Sequence, residues 1–179
     1  MSAALVIDPG ASAGLALVQR LTARSRHPFQ VIKHSRIHGR RGLWLERAAA
    51  EIDNALEAAR FAGLEISTVV IEEPAPASRS GSLAGDKRGQ RTWFGIGRRV
   101  GAIEAIAHSR GLTVSLLTAR DWTRALSLPA SKASDTGQRV TLAERLTGLT
   151  LTTTSTDTVE AILMGCAVAQ GAVDVRLQH

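Results

Sequence analysis

The sequence predicts an α/β fold built on a mixed five-stranded sheet with helices on both faces. Three observations carry that reading. Three apolar segments of strand length follow one another at the start of the chain. A helix-periodic stretch then separates them from a fourth, and an apolar helix closes the chain well after a fifth. Consecutive strands joined by tight turns pair antiparallel, whereas a strand reached through a helix joins in parallel, so one sheet should contain both senses.

Taken in order, "AALVIDP" (3–9) reads as a buried strand and "SAGLALVQRL" (12–21) as a second that starts after a Pro-Gly bend. "PFQVIKHSRI" (28–37) alternates like a half-exposed third strand. Residues 43–61 carry Leu45, Ala49, Ile52 and Leu56 at helical spacing, with Gly63 as a stop. "STVVIEEP" (67–74) is a β-branched strand ended by Pro74. A Gly/Ser/Arg-rich loop is expected from 75 to about 91, long enough to suggest a function. "RTWFGIGRRVGAIEAIAHSRG" (91–111) follows as a helix despite its glycines, and "LTVSLLT" (112–118) as the fifth strand. "ARDWTRALSL" (119–128) suggests a short helix, "SKASDTGQRVTLAERLTG" (131–148) a helix behind a polar turn, and "STDTVEAILMGCAVAQGAV" (155–173) an apolar closing helix. No internal repeat and no linker divides residues 1–179, so one domain is expected.

With 179 residues, 44% of them apolar, the chain can bury one sizeable core. No apolar run approaches the ~18–20 residues that span a bilayer, and the start does not resemble a signal peptide. The single Cys166 excludes an internal disulfide framework and fits a reducing compartment, so a cytoplasmic or nucleoid setting is expected, with no membrane partner. Cys166 itself reads as a small core residue, and Trp44 and Trp122 as packing anchors. The five histidines show no metal-ligand spacing. The net charge is +6, with arginines clustered at 20–27, 36–42, 79–91 and 97–100. Arginine's planar fork suits phosphate, and a basic domain can draw affinity for nucleic acid from its backbone; a solvated basic surface explains the charge equally well.

Carboxylates stand in three places where packing alone would not put them: Asp8 at the end of the first strand, Glu72 and Glu73 at the end of "VVIEE", and Asp157 with Glu160 at the start of the last helix. The i, i+3 spacing sets the last two on one helix face. Clustered acids repel unless a cation sits among them, and oxygen donors without Cys or His favour Mg²⁺ or Mn²⁺. Two such ions ~3.5–4 Å apart support phosphodiester cleavage. Each acid also has an ordinary alternative: Asp8 as a turn former, the glutamates as a strand end entering solvent, and Asp157 with Glu160 as a capping box.

"IDPGASAGLALV", "VVIEEP" and "DTVEAILMG", in that order, resemble the first hairpin, second acid and closing helix of RuvC-like Holliday junction resolvases. "WFGIGRRVGAIEAIAHSRGLTVSLLTARDWTRAL" is similar to the intervening segment of phage-type relatives. The resemblance covers nearly the whole chain. It implies an RNase H-like fold and a homodimer that cuts symmetric strands of a four-way DNA junction. It also implies two Mg²⁺ per active site, replaceable by Mn²⁺. By position Asp8, Glu72, Asp157 and Glu160 would be the catalytic metal ligands, with Glu73 the fallback for Glu72, and Lys132 would stand near the scissile phosphate. Arg79, Lys87, Arg88, Arg91, Trp93, Arg98 and Arg99 would contact DNA. Two positions depart from the family pattern. Glu160 stands where it usually has Asp, and Ala75 where an aromatic often opens the junction; Trp93 or Phe94 would substitute, although Phe94 is expected in the core. Other branched or hybrid substrates, a non-catalytic DNA-binding module, and an actin-like ATPase for which 179 residues leave too little room are the competing functions.

Overall fold

A computed structural model describes residues 3–10, 12–22, 24–39, 43–74, 87–129, 136–151, 154–173 and 176–177. Along the chain run β1 (Ala3–Asp8), β2 (Gly14–Arg20), β3 (Phe29–Arg36), α1 (Trp44–Phe61), β4 (Thr68–Glu73), α2 (Lys87–Ser109), β5 (Thr113–Thr118), α3 (Ala119–Ala125), α4 (Thr136–Thr147), α5 (Thr156–Gln170) and β6 (Arg176–Leu177). The five expected strands form one sheet in the order β3-β2-β1-β4-β5, which the two-residue β6 extends. β1, β2 and β3 pair antiparallel, β1–β4 and β4–β5 parallel, and β6 antiparallel to β5. At two residues β6 is too short to leave a periodic signal in the sequence.

Successive strand residues face opposite sides, and both sides are covered, which is why "ALVI" is continuously apolar. Leu5, Ile7, Leu15, Leu17, Val69 and Ile71 pack against α1 and α2. Ala4, Val6, Ala16, Val18 and Val70 pack against α5, backed by α3 and α4. Continuing the alternation puts Asp8 and Glu72 on the α5 side, while Glu73 is exposed.

Helix α5 is the central element of its layer. Ile162, Leu163, Met164 and Cys166 are buried, and each large side chain contributes about 1.5–3 kcal/mol. Gly165 allows the close fit: a Cβ there would lie 2.5 Å from Val18 Cγ2 and 3.3 Å from Val6 Cγ2. Gly171, at φ +73°, ends the helix in the left-handed conformation that glycine adopts without strain.

Three expectations are corrected. The buried stripe of α1 is Ala48, Ile52, Ala55 and Ala59, rotated from the expected one, and Leu45 is exposed. Small residues let the helix lie close to the sheet, so alanines rather than the bulkier leucines mark the inner face. α2 begins at Lys87, inside the stretch read as loop, because its first turn is polar and carries no apolar period; residues 75–86, including Arg79 and Ala75, lie outside the described residues. Phe94 is 65% exposed rather than in the core. It stands two residues from the inward Ile96, about 200° around the helix.

On the opposite side of the sheet from α5, Arg110 donates from Nε and Nη2 to the two Asp53 oxygens, each at 2.8 Å, tying α1 to the turn after α2. The hydrogen bonds hold the Asp53 carboxyl below its usual value. The pair's contribution is therefore present at neutral pH and fades as pH falls through that lowered value.

Burial pushes the Cys166 thiol up to about 12, and the thiolate is the reactive form. Native protein at pH 8 should therefore give no reaction with a thiol-specific disulfide reagent, and one thiol should titrate once denaturant unfolds it. Rapid labelling of the native protein would mean that α5 is not packed as described.

Candidate metal centre

The acid centre is built from three elements that end near one point. β1 and β4 are parallel neighbours registered Val6 to Val70 and Ile7 to Ile71, so one further step sets Asp8 beside Glu72 at their C-terminal ends. α5 crosses that end of the sheet and brings Glu160 from its first turns. Asp8, Glu72 and Glu160 are buried, and each offers an oxygen within 4.8 Å of the others'.

Each carboxylate has a structural reason for its position. Asp8 Oδ1 accepts from Gly10 N at 3.0 Å, an Asx turn that fixes the side chain as the chain leaves the strand. Glu72 Oε1 accepts from Trp122 Nε1 of α3 at 3.2 Å. Glu160 Oε1 accepts from Arg139 Nη1 of α4 at 2.7 Å, an ion pair in which both side chains are 3% exposed. The Arg139 guanidinium also lies 5.3 Å from the centre of the Trp122 ring, so the two supporting residues support each other.

Asp157 stands outside this group. Its Oδ2 accepts from Ser12 N at 3.0 Å, and its carboxylate lies against Gly10, where a Cβ would come within 2.9 Å of Oδ1. The capping-box alternative is not what forms: Ser155 is the N-cap, its hydroxyl accepting from Thr158 N, and Glu160 points into the acid centre. Ser12 Oγ in turn accepts from Arg36 Nη2 at 2.6 Å. Arg99 Nη1 donates to Gly10 O, and its guanidinium lies over the Trp44 ring at 5.9 Å. The turn after β1 is thus held from α5, β3 and α2.

Among the expected DNA contacts, Arg98 is exposed and Arg99 half-buried on that turn. The side chains of Lys87, Arg88, Arg91 and Trp93 lie outside the described residues, as does Lys132.

Two residues of the centre were not anticipated. Trp122 is the packing anchor the sequence suggested, but its N–H also orients Glu72. Arg139 reads in sequence as one more exposed helix cation. The available signal was its spacing: residues 139, 143 and 146 form the inward stripe of α4, so the arginine occupies a core position.

Three buried carboxylates within a few ångströms repel one another unless cations sit among them, and among the described residues Arg139 supplies one. The donors are hard oxygens with no sulfur or imidazole, which fits a divalent ion of the Mg²⁺ or Mn²⁺ class.

Against solved structures, T. thermophilus RuvC in complex with a Holliday junction substrate matches with a TM-score of 0.72 over 99% of this chain and 100% of that chain, at 16% identity. The chain has the RuvC fold. A second Thermus thermophilus RuvC structure matches with a TM-score of 0.66 over 97% of this chain and 99% of that one, also at 16% identity. No family model matches the chain, and no curated protein matches its sequence. The RuvC fold is RNase H-like, as expected. Among the described residues no helix is long and apolar enough to cross a membrane.

Gly14 sits where the first hairpin meets α5. It pairs with Asp8 across the hairpin, and a Cβ there would run into the backbone of Asp157 and Thr158. Gly14→Ala should force the first turn of α5 outward, lowering stability by about 1–3 kcal/mol in denaturant melts. It should also weaken Mn²⁺ binding followed by electron paramagnetic resonance. Gly101→Ala, where a Cβ meets nothing within 4 Å on α2, should be neutral or stabilising by up to about 1 kcal/mol.

Proposed function

We propose that this protein is a structure-selective DNA endonuclease that resolves four-way junctions by metal-dependent hydrolysis, in recombination and repair or in phage DNA processing. The observation that carries the reading is the meeting of Asp8, Glu72 and Glu160 at two strand ends and one helix start. It gains weight from the fold shared, over nearly the whole chain, with a RuvC bound to a Holliday junction substrate.

In this reading Asp8, Glu72 and Glu160 hold the divalent cations, and Asp157 completes the set from the edge of the turn. The ions are Mg²⁺, with Mn²⁺ substituting, and two serve each active site during cleavage. Bound there, they supply an activated water and stabilisation of the leaving oxygen. The protein's own part is positional. Trp122 fixes Glu72, Arg139 fixes Glu160, and the Asx turn fixes Asp8, so little side-chain freedom is lost when substrate arrives. Lys132 is assigned to the scissile phosphate by the sequence resemblance alone. Arg79, Lys87, Arg88, Arg91, Arg98 and Arg99 engage the DNA backbone, and Trp93 or the exposed Phe94 stacks on a base at the crossover, a contact of about 1–3 kcal/mol. A homodimer presents two such sites to opposing strands, in the cytoplasm or nucleoid of a cell or a phage-infected host.

The test compares a labelled four-way junction with linear, flapped and RNA–DNA hybrid substrates in Mg²⁺. Wild type should place paired nicks in opposing strands of the junction. Asp8→Asn should still bind it while cleavage falls by well over about 100-fold, since even residues that only support a metal ligand cost 10–100-fold when lost. Wild-type rates from Asp8→Asn would remove the metal-site reading; preference for hybrid or flap would change the substrate class. Junction affinity should also fall steeply with salt, by about 0.9 log unit per log unit of salt for each phosphate neutralised. A flat salt dependence would argue against the arginines as a backbone clamp.

A further inference from the structure

The turn that follows Asp8 is gripped by two arginines. Arg36 of β3 donates from Nη2 to Ser12 Oγ at 2.6 Å, and Arg99 of α2 donates from Nη1 to Gly10 O. The acceptors are a hydroxyl and a carbonyl, so neither contact cancels a guanidinium charge. The Trp44 ring beside Arg99 is likewise uncharged. By contrast Arg110, Arg124 and Arg139 each pair with a carboxylate, and among the described residues no carboxylate stands within ion-pair distance of Arg36 or Arg99.

Fixing an exposed arginine costs side-chain entropy, and one hydrogen bond to a neutral partner offsets little of it. What the contact does achieve is position: Arg36 is exposed, yet its charge is held in one place beside the acid centre. Asp8 pairs with Gly14 and Gly14 with Arg36, so the arginine's backbone lies two strand spacings, about 10 Å, from that of Asp8. Its side chain then reaches back to the turn between β1 and β2. A guanidinium ordered in advance by a neutral partner suits an incoming anion, and its planar fork suits a phosphate.

We propose that Arg36 binds a backbone phosphate of the DNA strand that enters the acid centre, and forms with Arg99 a clamp seated on the turn after Asp8. Apart from Lys132, the DNA contacts named above fall between residues 79 and 99. Arg36 adds one from β3, the edge strand on the far side of β2. The two cations hold phosphates near the scissile one and leave the acids to the metal. Such contacts fix the register and orientation of the strand and carry no sequence information. The inference rests on the reading of the protein as a DNA nuclease.

Four-way junction binding measured against salt, in the Asp8→Asn background that should bind without cutting, tests it directly. Adding Arg36→Gln, which keeps an amide donor for Ser12 but removes the charge, should lower the log–log salt slope by about 0.9. It should also weaken binding about threefold or more at physiological salt. Adding Arg36→Lys keeps the charge and should keep the slope. Combining Arg36→Gln with Arg99→Gln should lower the slope by about 1.8. With Asp8 intact, Arg36→Gln should leave Mn²⁺ affinity, followed by electron paramagnetic resonance, as in wild type. A residue that only braces the turn predicts the reverse: an unchanged slope, a lower melting temperature and weaker Mn²⁺ binding. An unchanged slope, or a slope lowered equally by Arg36→Lys, would overturn the proposal while leaving the nuclease reading intact. No DNA binding by Asp8→Asn or wild type would instead remove that reading, and the clamp with it.

Discussion

Helix α5 approaches the sheet so closely that glycine is required on both sides of the contact. Gly165 on the helix faces Val6 and Val18, and Gly14 on β2 faces the backbone at Asp157 and Thr158. A methyl group at either position would meet an atom that cannot yield without moving backbone or a β-branched side chain. The closeness brings Glu160 down to the level of Asp8 and Glu72, which strand alternation has already turned to the same side. Without it the three acids would sit on separate elements with no common centre. The packing of one helix therefore decides both the core of its layer and the geometry of the site.

That geometry opposes stability. Buried carboxylates lose hydration and repel one another, and the structure offsets this with hydrogen bonds from rigid donors. Trp122 is itself core, so its N–H cannot drift from Glu72. Arg139 projects from a helix packed on α5. Asp8 and Glu72 end strands in the middle of the sheet, where neighbours on both sides limit movement. Rigidity here is the condition for holding like charges together, and it is what a centre that binds hard cations needs.

The legible parts of this design are those governed by a period. Strand alternation allowed only one of Glu72 and Glu73 into the site, with the resemblance favouring Glu72, and the run of apolar residues in β1 announced a strand covered on both faces. The glycines of the first hairpin were visible as turn residues, but their actual constraint comes from a helix about 145 residues later in the chain, which no local pattern contains. Asp157 and Glu160 share a helix face by spacing, yet one lies against the turn and the other enters the core, because Gly10 and Ser12 meet the helix only at its first turn. Arg139 was hidden by residue type: an arginine on an apolar stripe reads as an interruption until its partner, 21 positions away, is known. Phe94 misled in the opposite sense, since an aromatic residue suggests core and this one faces outward.

The same chain carries an excess of positive charge and a buried negative centre, and the two act over different distances. Exposed arginines are screened within roughly 8–10 Å at physiological salt, so they can attract a polyanion while contributing little at the acids themselves. A charge inside the protein is screened far less. Compensation of the acid centre therefore comes best from inside it, and Arg139, paired with Glu160, contributes there. Surface arginine and buried arginine are chemically the same group with separate tasks. Burial divides them, because it decides whether water or the neighbouring carboxylate answers the charge.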